Sequence, residues 1–222
     1  MTALIQDVVQ GFEDFFASEY ADGGLMRRLA VKGQRPIYLS FACMDSRTTP
    51  EIILRLHSGQ SLDIRLGGPV IPRHAPGDPV SDLVEEHLQI AVSKGVRHIL
   101  LVGHEDCAAA GKISCTCGQP ASALEKMGAP FLEAAKVAAE NDTPESLHRA
   151  VEKQIVILGL EHLMSYPCVQ AALNENALHI HGLLFSLKGG NLSKYYPENG
   201  EFRIIAGENS TKTTQKTEKI RA

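Results

Sequence analysis

Two short segments of this 222-residue chain carry side chains that could bind a metal ion. The first, C-M-D-S-R at residues 43–47, directly follows an apolar run at 36–42. The second, H-E-D-C at residues 104–107, follows another apolar run at 98–103. Thiolate sulfur and imidazole nitrogen are ligands that suit Zn²⁺. A single cysteine in an apolar run usually packs in a core, so the metal prediction depends on whether the two segments meet in space.

The pattern between the two segments predicts that they do meet. Residues 37–42 and 98–103 are too short for helices and rich in strand-forming side chains, which predicts two buried strands. A helical pattern at 80–94, ended by Gly95, lies between them. Buried strands that alternate with helices are typical of a parallel sheet covered by helices. The carboxyl ends of such strands face one common crevice.

Three soft ligands at these strand ends are therefore predicted to converge. Cys43 follows the first strand, while His104 and Cys107 follow the second. Two thiolates and one imidazole suit zinc, and three protein ligands with an open fourth position are the arrangement of a catalytic zinc site. On spacing alone, core packing of Cys43 and a structural role for His104 remain the alternative.

The rest of the chain predicts an α/β fold, a central and mostly parallel β-sheet flanked by helices. Residues 1–206 are expected to form a single domain with an N-terminal helical arm at 1–34, and the polar segment 207–222 a flexible tail. Helices are predicted at 3–18, 25–31, 121–140 and 144–163, with another starting near 49–51; strands are predicted at 61–66, 177–187 and 201–205, the last two as a hairpin across a loop.

Composition argues against several classes of protein. The net charge of −4 and the lack of a long basic run argue against nucleic-acid binding. The chain has no run of about 18 apolar residues, so no membrane span is predicted. The N-terminus does not resemble a secretory signal, and five cysteines are an odd number, so a disulfide framework is not expected. We therefore expect a cytoplasmic protein whose reduced thiols are available to a metal.

The strings A-C-M-D-S-R at 42–47 and V-G-H-E-D-C at 102–107 closely resemble the zinc motifs C-x-D-x-R and H-x-x-C of the β-class carbonic anhydrases. Weaker similarities extend from about residue 36 to 190. The resemblance implies a zinc lyase that interconverts CO₂ and bicarbonate, with zinc-bound hydroxide as the nucleophile. It also implies one Zn²⁺ per chain, an N-terminal arm that wraps a partner, and a homodimer or a higher homo-oligomer. The implied zinc ligands are Cys43, His104 and Cys107.

Asp45 and Arg47 are the predicted catalytic pair. They follow Cys43 at two-residue spacing, so in an extended segment all three side chains point to one face. Arg47 can hold the Asp45 carboxylate ionised through a bidentate pair, and Asp45 can then orient hydroxide towards the carbon of CO₂. The resemblance also allows a closed, inactive state in which Asp45 is the fourth zinc ligand. A plain surface ion pair is the simpler interpretation of the two residues.

Two segments depart from the family pattern and leave the substrate open. Ala108 stands where the family usually has glycine, and Leu66-Gly67-Gly68-Pro69 stands where it usually has Asn-Ala-Gly-Asn. These segments shape the substrate pocket. Relatives on the same fold hydrolyse carbon disulfide or carbonyl sulfide, so that activity is one alternative. A catalytically silent zinc-binding homologue is the other.

Several further residues are weaker candidates. Glu105 and Asp106 could orient His104 or carry protons, although a solvated or capping role is as plausible. Arg65 could hold bicarbonate, but a structural ion pair is the preferred interpretation. Cys168 is expected to be buried. The others fall into three groups: His57, His74 and His87 as proton shuttles or surface histidines; Cys115 and Cys117 as a second metal or redox site or a flexible insert; and His179 and His181 as structural residues on one strand face.

Overall fold

The computed structural model describes residues 3–115, 122–140 and 143–208. Segment 209–222 of the predicted tail and Cys117 lie outside the described residues. The strands are β1 (Tyr38–Cys43), β2 (Ser61–Leu66), β3 (His98–His104), β4 (His179–Ser186), β5 (Asn191–Tyr196) and β6 (Glu201–Gly207). The helices are α1 (Ala3–Phe15), α2 (Leu25–Lys32), α3 (Pro50–Ile53), α4 (Pro79–Ser93), α5 (Ala108–Ser114), α6 (Ala123–Ala138), α7 (Pro144–Leu163) and α8 (Pro167–Asn174). A π-helical turn, Phe16–Tyr20, continues α1.

The six strands of the described residues form one sheet in the order β2-β1-β3-β4-β5-β6. The first four run parallel, and β5 and β6 are antiparallel to their neighbours. The predicted mostly parallel α/β sheet is confirmed. The predicted hairpin between the last two strands is wrong, because the intervening segment is itself the strand β5. All six residues of β5 are half-buried, so it lacks the clear alternation that marks a strand in sequence.

Local sequence explains where the helices begin and end. Asp78 caps α4 by accepting hydrogen bonds from the backbone N–H groups of Val80 and Ser81, and Pro79 occupies the first turn. Gly95 follows this helix with a φ of +88°, a conformation that glycine adopts without strain. Ser122 and Glu125 form a capping box at the start of α6.

A buried core lies between one face of the sheet and the helices, and there α7 packs against β3. Phe41 and Leu101 are fully buried there, and burying a side chain of this size stabilises the fold by about 1.5–3 kcal/mol. At Gly159 of α7, an added Cβ would lie 2.5 Å from Leu101 Cδ2. Because this position has no side chain, α7 can pack directly against β3. Among the described residues no single helix is both long and apolar enough to cross a membrane; α7 and α8 meet the length and composition criteria only as a pair bent by 78°.

Candidate zinc site

The three predicted zinc ligands come together at the carboxyl edge of the parallel strands. Cys43 is the last residue of β1, His104 is the last residue of β3, and Cys107 caps the N-terminus of α5. Because β1 and β3 are parallel neighbours, both chains leave the sheet at the same edge. The ligand atoms all lie within 4.8 Å of one another, and the two Sγ atoms are 4.0 Å apart. All three residues are buried.

The His104 ring is oriented as a metal ligand. Its Nδ1 lies 2.8 Å from the carbonyl oxygen of Glu105 and donates a hydrogen bond to it. Nε2 then carries the lone pair, and it is a buried polar atom with no hydrogen-bond partner. A buried, unpaired polar atom normally costs about 1–3 kcal/mol. Coordination of a metal ion is the interaction that satisfies this nitrogen.

The two thiols also lie close enough to bind one cation together. Hydrogen bonding from the Cys107 side chain lowers the pKa of Cys43, while that same hydrogen bond and burial raise the pKa of Cys107. Without a cation, a second buried thiolate 4.0 Å from the first is strongly disfavoured. A divalent cation removes that repulsion and allows both sulfurs to bind as thiolates. Two sulfurs and one nitrogen fit Zn²⁺.

Asp45 and Arg47 form a bidentate ion pair beside the ligands. Arg47 Nη2 is 2.7 Å from Asp45 Oδ2, Arg47 Nε is 3.0 Å from Oδ1, and the Arg47 backbone N–H also donates to Oδ1 at 2.9 Å. These hydrogen bonds hold the pKa of Asp45 well below its usual range. The carboxylate in this structure therefore faces Arg47 and is ionised.

Arg47 has a second acidic partner in the other ligand loop. Its Nη1 lies 3.2 Å from Asp106 Oδ2, so one guanidinium joins the two segments that carry the zinc ligands. Asp106 has a φ of +58°, in the left-handed region that few residues other than glycine adopt. This backbone conformation turns the chain between His104 and Cys107. Asp106 thus fixes Arg47 and does not touch the His104 ring nitrogens.

The preferred interpretation of Arg65 as part of an ion pair is wrong, because its polar contacts within the described residues are hydrogen bonds to backbone carbonyl oxygens. Its Nε donates to the carbonyl oxygen of Cys43 at 3.1 Å, and its Nη2 donates to the carbonyl oxygen of Asp45 at 2.6 Å. Arg65 lies on β2, next to β1. It therefore holds the backbone that carries both the zinc ligand and the catalytic acid.

Glu152 and His148 are site residues that the sequence analysis missed. Glu152 is 5% exposed, and its Oε1 accepts a hydrogen bond from the backbone N–H of Cys107 at 2.9 Å. His148 Nε2 lies 3.1 Å from both the Cys107 carbonyl oxygen and the Glu152 carboxylate. The signal was present in α7, where Glu152 occupies the same buried helical stripe as Ile155 and Gly159. A buried acid in an apolar stripe requires a polar partner.

Replacement of Glu152 by alanine should weaken zinc binding. The Cys107 N–H would then be buried without an acceptor, and loss of such supporting groups typically costs 10–100-fold in metal affinity. We expect an affinity loss of about that size in a competition titration with a zinc chelator. Glu152→Gln keeps an amide oxygen and should retain most of the affinity. Glu161→Ala, on the exposed face of the same helix, is the matched control. Unchanged affinity in Glu152→Ala would contradict this role.

The other candidates lie in less specific surroundings. Glu105 accepts a hydrogen bond from Ser186 Oγ through its side chain, and only its carbonyl oxygen orients His104. Cys168 is half-buried rather than buried. The remaining ones are placed as follows: His57 is exposed, His74 contacts Glu85 at 2.9 Å, His87 Nδ1 donates a hydrogen bond to the Leu83 carbonyl oxygen at 2.6 Å, Cys115 is exposed after α5, and His179 and His181 lie near His98.

An apolar cavity of about 290 Å³ adjoins the unusual segment at residues 66–69. Gly68 lines it with a φ of +80°, and an added Cβ there would lie 2.7 Å from Ala109 Cβ. Segment 66–69 is thus packed against the first turn of α5, next to Ala108. The lining residues are Phe41, Ile64, Leu66, Gly67, Gly68, Val70, Pro72, Val80, Leu83, Val84, His87, Leu124 and Met127.

A mostly parallel sheet flanked by helices, with a Cys₂His site at the carboxyl edge of its parallel strands and an Asp–Arg pair beside it, defines a zinc-dependent enzyme. The chain belongs to the β-class carbonic anhydrase family, since a family model described as carbonic anhydrase matches residues 38–192. A carbonic anhydrase of Pseudomonas aeruginosa is 31% identical over 217 residues, covering 92% of this chain and 97% of the relative.

Solved structures agree with this fold. The β-carbonic anhydrase CcaA superimposes with a TM-score of 0.75 at 21% identity, covering 93% of this chain and 94% of the other. A tetrameric β-carbonic anhydrase from Sordaria macrospora gives a TM-score of 0.66 at 23% identity, covering 86% of this chain and 94% of the other. At these identities the likeness establishes the fold alone.

Proposed function

We propose that this protein catalyses the zinc-dependent, reversible hydration of CO₂ to bicarbonate, which makes it a carbonate dehydratase. The observation that carries the proposal is the buried Cys43, His104 and Cys107 cluster, with its unpaired histidine nitrogen. A purely structural zinc site has four protein ligands, whereas this cluster supplies three. The family membership points to the same reaction.

Each residue has a defined task in the proposed reaction. Cys43, His104 and Cys107 hold the metal. Zinc, when bound, lowers the pKa of a coordinated water and supplies a nucleophile near neutral pH. The Asp45 carboxylate accepts a hydrogen bond from the attacking water and turns its lone pair towards the carbon of CO₂.

Arg47 and Arg65 keep Asp45 in place for this task. Arg47 holds both carboxylate oxygens, and Arg65 holds the backbone carbonyl of the same residue. If Arg47 released the carboxylate, Asp45 could turn towards the ligand cluster and occupy the fourth zinc position. The ion pair with Arg47 therefore favours the open, active arrangement.

Stopped-flow measurement of CO₂ hydration by the zinc-loaded protein tests the proposed function. We expect turnover between about pH 7 and pH 9, the range in which zinc-coordinated water ionises. Carbonyl sulfide and carbon disulfide should be assayed in parallel, because segment 66–69 departs from the family pattern. Hydrolysis of either compound without CO₂ hydration would replace the proposal with the alternative activity. No turnover of any of the three would indicate a silent zinc protein.

We further propose that the protein is a homo-oligomer, with a dimer formed through the helical arm as the basic unit. Among the described side chains of α1 and of the turn that follows it, five large apolar ones are exposed in the single chain, and exposed apolar stripes of this kind mark interaction surfaces. They are Ile5 (48%), Val8 (66%), Val9 (47%), Phe12 (60%) and Phe16 (42%).

We also propose that the protein is cytoplasmic, since both zinc-binding thiols must stay reduced and the cytoplasm is a reducing environment.

A charge on this stripe should weaken the dimer. Phe12→Glu places a carboxylate in the apolar interface, where an unpaired charge is strongly unfavourable. We expect multi-angle light scattering to show a dimer or larger assembly for the wild type and a lower mass for Phe12→Glu. Gln10→Glu adds the same charge on the opposite side of the helix and should leave the mass unchanged. A monomeric wild type, or equal masses for all three proteins, would contradict the proposal.

A further inference from the structure

A groove of about 700 Å³ lies at the amino edge of the sheet, between α2 and the residues that lead into β1 and β2. Ile37 directly precedes β1 and Gln60 directly precedes β2, so this amino-edge groove lies at the opposite ends of the strands from the zinc ligands. Strand β1 places roughly 17 Å of extended chain between Tyr38 and Cys43. The lining residues are Leu25, Arg28, Leu29, Lys32, Gly33, Arg35, Ile37, His57, Ser58, Gly59 and Gln60. The proposed reaction uses none of them.

Three cationic side chains line the amino-edge groove, and no carboxylate is among the lining residues. Arg28 and Lys32 lie on α2, and Arg35 lies between α2 and β1. Within the described part of the chain, none of the three forms an ion pair with an acid. Because a concave surface lined by charges of one sign concentrates ions of the opposite sign, the groove attracts anions.

The positive charge of this region is a local property of the sequence. Residues 23–44 contain four cations and no aspartate or glutamate, although the whole chain has a net charge of −4. One of the four, Arg27, lies over the ring of Tyr20 at 5.8 Å and is not part of the lining. The other three all line the amino-edge groove. The cations of this segment are therefore concentrated at one concave surface.

Packing and hydrogen bonds hold the walls of the groove. Leu29 packs against the turn before β2, where a Cβ added to Gly59 would lie 2.7 Å from Leu29 Cδ2. Two hydrogen bonds close that turn: the Gln60 N–H donates to the His57 carbonyl oxygen at 3.0 Å, and the His57 N–H donates to Gln60 Oε1 at 3.3 Å. On the other wall, Arg28 Nη1 donates a hydrogen bond to a backbone carbonyl oxygen at the start of α2. The shape of the groove therefore follows from contacts within the chain.

The chemistry of the lining fits a phosphate group attached to an apolar body. Arginine binds phosphate oxygens through two parallel N–H groups, and lysine adds a compact positive charge. Beside the cations, Leu25, Leu29 and Ile37 supply apolar surface for the rest of such a molecule. The volume of the groove lies within the range of about 300–1,000 Å³ that is typical of small-molecule sites.

We propose that the amino-edge groove binds a small organic phosphate. Arg28, Lys32 and Arg35 contact the phosphate group, and the apolar side chains of α2 contact the body of the molecule. The site is separate from the zinc cluster, and binding there does not depend on the proposed hydration of CO₂.

Isothermal titration calorimetry of the zinc-loaded protein with adenosine 5′-monophosphate (AMP) tests the site. At an ionic strength of about 0.01 M, where charges are screened over about 30 Å, we expect AMP to bind and uncharged adenosine to bind at least about tenfold more weakly. Lys32→Gln and Arg35→Gln each remove a charged donor and should weaken AMP binding by about tenfold. Lys126→Gln, an exposed lysine on α6, is the matched control and should leave the AMP affinity unchanged. No binding of AMP, equal affinities for AMP and adenosine, or an AMP affinity that the groove variants retain would overturn the proposal.

Two further measurements on the same variants separate the site from the zinc cluster and from the dimer. Lys32→Gln and Arg35→Gln should keep one zinc per chain and the wild-type rate of CO₂ hydration, because the groove lies at the opposite edge of the sheet. The competing occupant is the arm of a second copy, since residues 1–22 contain five acids and no cation. In that case light scattering would show a lower mass for both variants and the wild type would not bind AMP, which would overturn the proposal. Unchanged masses together with weakened AMP binding would support it.

Discussion

Asp45→Asn should bind zinc with nearly unchanged affinity and lose most of its turnover. The substitution leaves Cys43, His104 and Cys107 intact, and Arg65 still holds the backbone carbonyl at position 45. Asparagine, however, offers one oxygen and one NH₂ group where Arg47 now meets two carboxylate oxygens. The bidentate pair is lost, and with it the ionised acceptor that orients the attacking water. We expect kcat/KM for CO₂ hydration to fall by at least about 100-fold.

Asp106→Asn is the matched control for this prediction. Asp106 also forms an ion pair with Arg47. Its replacement by asparagine therefore removes one carboxylate charge beside Arg47, as Asp45→Asn does. Asparagine tolerates the positive φ of this position, so the ligand loop should keep its shape. Both partners of this second pair are largely exposed, and such pairs contribute at most about 1 kcal/mol. Turnover should therefore stay within about fivefold of the wild type. Full activity of zinc-loaded Asp45→Asn would refute the proposed role of Asp45.

Cys107→Ser should abolish both stable zinc binding and turnover. A serine hydroxyl remains protonated at neutral pH and is a poor zinc ligand, so only Cys43 and His104 would be left to bind the ion. Metal analysis after dialysis should find no bound zinc in this variant. Loss of the ion should also destabilise the chain, since a ligand at 1,000 times its Kd stabilises the folded state by about 4 kcal/mol. For a chain of this length that corresponds to a drop in Tm of roughly 10 °C.

Cys115→Ser is the control that separates loss of a ligand from loss of a thiol. Cys115 is exposed and follows α5, whereas Cys107 is buried at the beginning of that helix. The Cys115 variant should keep one zinc per chain and its full activity. Treatment of the wild type with a strong chelator should reproduce the Tm of Cys107→Ser. Retention of zinc and turnover by Cys107→Ser would remove Cys107 from the ligand set.

Much of the candidate site could be predicted because its signals are local. Cys43 and His104 each end an apolar run that is too short for a helix, and the buried strands β1 and β3 lie at those runs. The spacing of Asp45 and Arg47 relative to Cys43 depends only on a few neighbouring residues. Strand β5 had no such signal, because all six of its residues are half-buried and their pattern does not alternate.

The supporting contacts could not be predicted, because each joins residues far apart in the chain. Arg65 reaches the carbonyl of Cys43 across 22 residues, and Glu152 reaches the backbone of Cys107 across 45. His98 and His181, which are 83 residues apart, meet only because β3 and β4 are neighbours in the sheet. Side-chain types alone do not specify these pairs.

By itself, the sequence C-M-D-S-R determined the chemistry available at this strand end: a soft metal ligand in Cys43, a carboxylate in Asp45 and a guanidinium in Arg47. The tertiary structure decided how these groups are used. It aligned β1 beside β3, so that the sulfur of Cys107 lies 4.0 Å from that of Cys43, and it placed Arg65 against the backbone carbonyl oxygens of Cys43 and Asp45. The physical reason is that ligand identity is a property of single residues, whereas distance and direction arise from the packing of strands and helices that are remote in the chain.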